Sequence, residues 1–202
     1  MMVSPFEEKL SALISKKRFD HVVRVSQTAK DLANHYGYDS NKAYIAGLLH
    51  DAAKEQSPQS LRDLGVSSDL VNDSVFSMFP KVWHALVAPE FCQLMFSIND
   101  QDILSAMKFH TTGKDAMSIL EQIVYVADFI EPGRDVPERQ FVYDLAFESL
   151  DEACYALSLI SMYSLMGRHL SIHPFSLACY NYYQKCSKKR KETQTTILSY
   201  HC

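Results

Sequence analysis

Ala46-Gly47-Leu48-Leu49-His50-Asp51-Ala52-Ala53-Lys54 sets an imidazole and a carboxylate inside an apolar, helical run. Asp39 or Ser40 caps the helix that leads into it, and Ala43, Ala46 and Gly47 are small enough for a neighbouring helix to approach closely. A carboxylate in such a wall is costly unless a cation, a hydrogen-bond donor or a metal ion meets it. The dipeptide alone decides little. The pattern, however, recurs: His21 shares a stripe with Val25, Ala29 and Leu32, and Asp128 closes Ile123-Val124-Tyr125-Val126-Ala127. Distant helices thus each deliver a hard or borderline ligand from an apolar face, which is how helical bundles build metal sites.

Outward from this stretch the period stays helical. Ser4-Pro5-Phe6-Glu7 reads as a capping box opening a helix towards Ile14. A helix over Phe19–Tyr36 ends at Gly37, and Ser57-Pro58 starts a short one through Leu64, closed by Gly65. Further helices are predicted over Ser68–Phe76, Val82–Phe96 and Asp100–His110. His110-Thr111-Thr112-Gly113-Lys114 reads as a loop, and Ser118-Ile119-Leu120-Glu121 as a second capping box. Pro132-Gly133 stops that helix, and two long helices follow, Phe141–Met166 and Pro174–Lys185. The fold class is all-α, a single-domain helical bundle over residues 1–186. Residues 187–202, with Lys188-Lys189-Arg190-Lys191, read as a solvated basic and polar tail.

Composition narrows the function. Six glycines and seven prolines among 202 residues are too few for an all-β sandwich. Ala153–Gly167 is too short to span a bilayer and no secretory leader is read, so a cytoplasmic protein without membrane association is expected. Five scattered cysteines without a C-x-x-C pair read as free thiols. A net charge of −4 despite the basic tail argues against general nucleic-acid binding. The chain has no phosphate-binding G-x-x-x-x-G-K-[ST] loop, no G-x-G-x-x-G turn, no H-E-x-x-H helix and no G-x-S-x-G elbow.

The order His21…His50-Asp51…Asp128 is the signature of the HD hydrolase superfamily. Longer segments agree: Arg18-Phe19-Asp20-His21, the His50-Asp51 run through Lys54, His110-Thr111-Thr112-Gly113, Tyr125 to Arg134, and Ile172-His173-Pro174 with Asn181 beyond. Together they resemble the YqeK-like branch, the symmetrical dinucleoside-tetraphosphate hydrolases, from about residue 15 to 183. The segment Val82-Trp83-His84-Ala85 departs from the leucine and glycine that usually flank the family's histidine.

The resemblance implies an HD-type fold and a divalent metal, iron with manganese or cobalt as substitutes, on His21, His50, Asp51 and Asp128. It implies nucleotide contacts at Arg18, Lys54, His84, His110, Arg134 and Asn181. Asp51 and His110 are the expected catalytic residues. The implied reaction is symmetric cleavage of diadenosine tetraphosphate to two ADP, the partner is a small nucleotide, and a homodimer is allowed. His84 and His110 stay open between second-metal ligands, phosphate donors and a general acid. The alternatives are another HD phosphohydrolase acting on nucleoside mono- or triphosphates or (p)ppGpp, and a nucleotide sensor without turnover. Cyclic-dinucleotide cleavage fits less well, because no G-Y-P follows the H-D pair. His35, His169, His173 and His201 carry no assigned role.

Overall fold

A computed structural model describes residues 5–67, 69–71 and 77–201. Among them eleven α-helices are delimited and no strand. In chain order they are α1 Pro5–Ser11, α2 Lys16–His35, α3 Ser40–Leu49, α4 Pro58–Asp63, α5 Trp83–Phe96, α6 Gln101–Phe109, α7 Ile119–Ile130, α8 Arg139–Glu148, α9 Leu150–Gly167, α10 Pro174–Cys186 and α11 Arg190–His201. The all-α expectation holds. Ser4, and Ser68 with 72–76 of the helix expected over Ser68–Phe76, lie outside the described residues; 69–71 form a turn and a bend.

The caps explain where the helices begin. Asp39 accepts from the backbone N–H groups of Asn41 and Lys42, and Asp100 from those of Asp102 and Ile103. Each fills donors that a first turn leaves unpaired. Ser118 and Glu121 form the reciprocal box read from the sequence. Gly37 and Gly65 terminate their helices with φ of +66° and +90°, a region where a side chain is strained.

The centre of the bundle is α7, buried on nearly every face and packed against α2, α3, α6 and α9. Across it α2 and α3 come so close that a Cβ on Gly47 would stand 2.9 Å from the Ser26 Cα. Leu32, Leu48, Leu49, Met107, Leu120 and Ile123 are fully buried around that crossing. Truncating any one of them to alanine costs about 2–5 kcal/mol, depending on how far the gap closes. This packing fixes the relative positions of His21 on α2, His50 at the end of α3 and Asp128 on α7.

Two expectations about the C-terminal third need correcting. The predicted Phe141–Met166 helix breaks at Ser149, which is extended (φ −160°, ψ 122°) and caps α9 by accepting from the Glu152 N–H. The cue was in Ser149-Leu150-Asp151-Glu152, an N-terminal capping pattern masked by the apolar periodicity on both sides. The second concerns the expected tail, of which 190–201 form helix α11, with Ile197 fully buried and α11 packed on α9. Its start is held by buried Glu152, which accepts from Ser187 Oγ at 2.6 Å and from the Lys188 and Lys189 N–H groups at 2.7 and 3.3 Å. A single apolar anchor among charged residues gave too weak a period to read.

Candidate metal centre

His50 and His110 each occupy the residue just past a helix, α3 and α6. The same local geometry follows in both. His50 Nδ1 lies 2.7 Å from the Gly47 carbonyl and His110 Nδ1 2.7 Å from the Met107 carbonyl. A carbonyl only accepts, so Nδ1 carries the hydrogen and donates, and Nε2 is turned into the bundle. Full burial pushes the His50 pKa down to about 4, so the ring is neutral and Nε2 presents a bare lone pair.

His21 reaches a similar state by another route. Its Nδ1 lies 3.1 Å from Glu131 Oε1. Glu131 is itself held by Arg24 Nε at 2.6 Å and by the Gly133 N–H at 2.6 Å. Burial opposes its ionisation, but the Arg24, Gly133 and His21 hydrogen bonds outweigh that and hold the pKa below the usual glutamate range. A carboxylate behind the imidazole fixes the ring and its tautomer and leaves Nε2 facing inward.

These nitrogens face oxygens. His21 Nε2 lies 3.1 Å from Asp128 Oδ1 and 4.0 Å from Asp51 Oδ2; His50 Nε2 lies 3.6 Å from Asp51 Oδ2 and 3.8 Å from Asp128 Oδ1. Histidine and aspartate therefore alternate around a closed ring. Burial disfavours both carboxylates' charges, yet their neighbours outweigh it. His110, His84 and Lys54 hold Asp51 well below the ordinary aspartate range, and His21 and Arg134 do the same for Asp128. His21 Nε2, His50 Nε2 and Asp51 Oδ1 are buried without a hydrogen-bond partner. Lone pairs pressed against carboxylate oxygens in a dry site are unfavourable unless a cation lies among them. The donor set, two imidazoles and two carboxylates, suits a first-row divalent metal.

A second cluster adjoins the ring. His84 Nε2 lies 3.0 Å from Asp51 Oδ1, 3.1 Å from His110 Nε2 and 2.9 Å from Lys54 Nζ. His110 Nε2 is 3.4 Å from the same Asp51 oxygen and 2.9 Å from Thr111 Oγ1. Three overlapping groups, His21–His50–Asp51, His50–His110–Asp128 and Asp51–His84–His110, each gather ligand atoms within 4.8 Å. Burial lowers the His84 pKa to about 3 and also lowers that of Lys54. The departure of residues 82–85 from the family pattern thus does not keep His84 out of the site.

Arg18 Nη1 bonds Asp51 Oδ2 at 2.7 Å and Arg134 Nη2 bonds Asp128 Oδ1 at 2.5 Å, so both expected phosphate ligands border the ring. Asn181 is exposed on α10, where Gln184 Nε2 donates to its Oδ1 at 3.4 Å, and among the described residues no hydrogen bond ties it to the cluster. His173 caps α10, its Nδ1 accepting from the Phe175 N–H. Sequence reasoning left Glu131 and Arg24 unassigned. The usable signal is an acid one helical turn beyond Asp128, where it shares a face with that residue.

A helical bundle that closes alternating histidines and aspartates around buried, unpaired lone pairs has the architecture of an HD-type metal centre. Residues 18–133 match the HD domain family. The chain is 32% identical to the symmetrical bis(5'-nucleosyl)-tetraphosphatase of Staphylococcus aureus (strain NCTC 8325 / PS 47), over 89% of this chain and 93% of that protein. It is 33% identical to the protein of the same name from Bacillus subtilis (strain 168), over 87% and 96% of the two chains. The fold is similar, with a TM-score of 0.81, to the crystal structure of a predicted HD superfamily hydrolase involved in NAD metabolism from Clostridium acetobutylicum. That match covers 90% of this chain and 96% of the other, at 29% identity. The chain belongs to the HD-domain hydrolases and, within them, to the family of the symmetrical bis(5'-nucleosyl)-tetraphosphatases.

Proposed function

We propose that this chain is a metal-dependent hydrolase that cuts diadenosine tetraphosphate at its central phosphoanhydride to give two ADP. The carrying observation is the ring of His21, Asp128, His50 and Asp51, whose inward nitrogens, His21 Nε2 and His50 Nε2, are buried without a hydrogen-bond partner. We assign it one divalent ion, with iron as the native metal and manganese or cobalt as substitutes. When bound, that ion supplies Lewis acidity that screens phosphate charge and acidifies water.

The side chains do the rest. Asp51, kept ionised by its neighbours, accepts a hydrogen bond from the attacking water and aims its oxygen at an inner phosphorus. The bridging P–O bond opposite breaks, and one ADP leaves with the electron pair. Lys54 and Arg134 neutralise the charge on the diphosphates, His84 adjoins them as a neutral ring, and the proton released by the water passes to His110 Nε2, which hands it to the departing oxygen. Asn181 is retained as an outer nucleoside contact on the strength of the family pattern alone.

The free state of Cys92, Cys154, Cys179 and Cys186 supports a cytoplasmic location. Among the described residues no helix is long and apolar enough to cross a membrane. Exposed Met166, Leu170 and Leu177 near the α9–α10 junction support a homodimer, measurable by light scattering. Chromatography after anaerobic incubation of the ferrous protein with diadenosine tetraphosphate tests the activity. ADP as sole product is expected; ATP with AMP refutes the symmetric cut.

A further inference from the structure

A central cut places a constraint on the site that the family pattern does not address. The two nucleoside diphosphate arms must leave the reacting phosphorus in different directions, so two cationic surfaces are needed. Asp51 separates the surrounding groups accordingly. Its Oδ1 faces His84, His110 and Lys54, whereas its Oδ2 faces Arg18 with His21 and His50.

On the Oδ2 side lies a cavity of about 320 Å³, lined by Lys17, Arg18, Arg24 and Arg134. Its two acids offset part of this charge, Glu131 pairing with Arg24 at 2.6 and 3.3 Å and Glu55 lying 3.8 Å from Arg18 Nε, so four cationic side chains face two carboxylates. Arg18 Nε is buried without a hydrogen-bond partner. The first turn of α2 adds to the imbalance, because it carries Lys16-Lys17-Arg18 and no acid. Cations at the positive end of a helix raise the local potential instead of compensating it. The volume matches the lower range of small-ligand sites, roughly 300–1,000 Å³.

We propose that this cavity is the docking site of one nucleoside diphosphate arm, gripped by Lys17, Arg18, Arg24 and Arg134, while the other arm lies across Lys54, His84 and His110. The assignment rests on the tetraphosphatase reading and adds to it Lys17 and Arg24 as binding residues. Guanidinium forks suit phosphate oxygens bidentately, and exposed Lys17 adds a point charge at the rim.

Titration calorimetry of the metal-loaded full chain with ADP tests it. Two ADP per chain are expected for the wild type. Lys17→Glu, a charge reversal at an exposed position, leaves one site unchanged and weakens the other about tenfold. A single ADP per chain in the wild type, or two sites indifferent to Lys17→Glu, overturns the proposal. Counting ADP requires no turnover, so product analysis of the wild type judges the tetraphosphatase reading separately.

Discussion

Two regions of the molecule bury polar groups, and they treat them in opposite ways. Around Gln122, Glu152 and Tyr183, where α7, α9 and α10 meet, buried polar side chains find partners, with the Tyr155 hydroxyl and Thr193 Oγ1 as exceptions nearby. Gln122 Nε2 donates to Asp151 Oδ1 at 2.7 Å and to the Tyr183 hydroxyl at 3.0 Å, and that hydroxyl also accepts from the Met117 N–H at 3.0 Å. Glu152 is similarly filled by Ser187, Lys188 and Lys189. In the metal centre, by contrast, His21 Nε2, His50 Nε2 and Asp51 Oδ1 are buried without hydrogen bonds. The satisfied network contributes to stability. Unpaired imidazole nitrogens packed beside carboxylates become favourable only when a cation lies among them, which supports assigning a metal to this cluster.

Substitutions separate the two regions. The largest effect is expected from Asp51→Ala, which removes the carboxylate shared by both histidine clusters. Metal content and turnover should fall to background while circular dichroism stays that of a folded helical protein; retained turnover removes Asp51 from the mechanism. Glu131→Gln comes next. Weakening the group behind His21 should lower metal affinity by about 10–100-fold, the usual effect of losing such a partner. Metal-binding titration reads this directly, and an unchanged affinity means that His21 needs no carboxylate behind it.

The satisfied region should respond in stability alone. Glu152→Ala leaves three donors at the start of α11 without their acceptor, and a loss of about 1–3 kcal/mol is expected in denaturant unfolding. Turnover per folded molecule should be unchanged; a comparable loss of turnover erases the contrast between the regions. The smallest effect is expected on the surface, where Lys42 Nζ lies 2.8 Å from Asp100. The Lys42 hydrogen bond lowers the Asp100 pKa. Its contribution is therefore full above the unfolded aspartate value, about 3.9, and fades as pH falls through the lower folded value. Asp100→Asn should leave the melting temperature at neutral pH within the scatter of surface substitutions and flatten that acid-side dependence.

The contrast also shows what the amino-acid order could disclose. His21, His50, Asp51 and Asp128 were legible because an ionisable group in an apolar run is conspicuous wherever it sits. Helix starts at Asp39, Asp100 and Ser118 were legible because capping is local chemistry. The break at Ser149 was hidden because apolar residues continue on both sides and only the phase changes. α11 was hidden because its stability is tertiary, resting on Ile197 and on Glu152 from another helix. Glu131 was hidden for a related reason. Near a proline-glycine stop it resembles a surface acid, and only its 3.1 Å contact with His21 gives it a role.

The central claim is that a divalent ion completes the ring of His21, Asp128, His50 and Asp51. An anomalous difference map from a crystal of the iron-loaded chain, collected on both sides of the iron absorption edge, tests it most directly. The account predicts a peak within bonding distance of His21 Nε2, His50 Nε2 and an oxygen of each aspartate. A map featureless there in an iron-containing crystal, or a peak bound only by other residues, contradicts it.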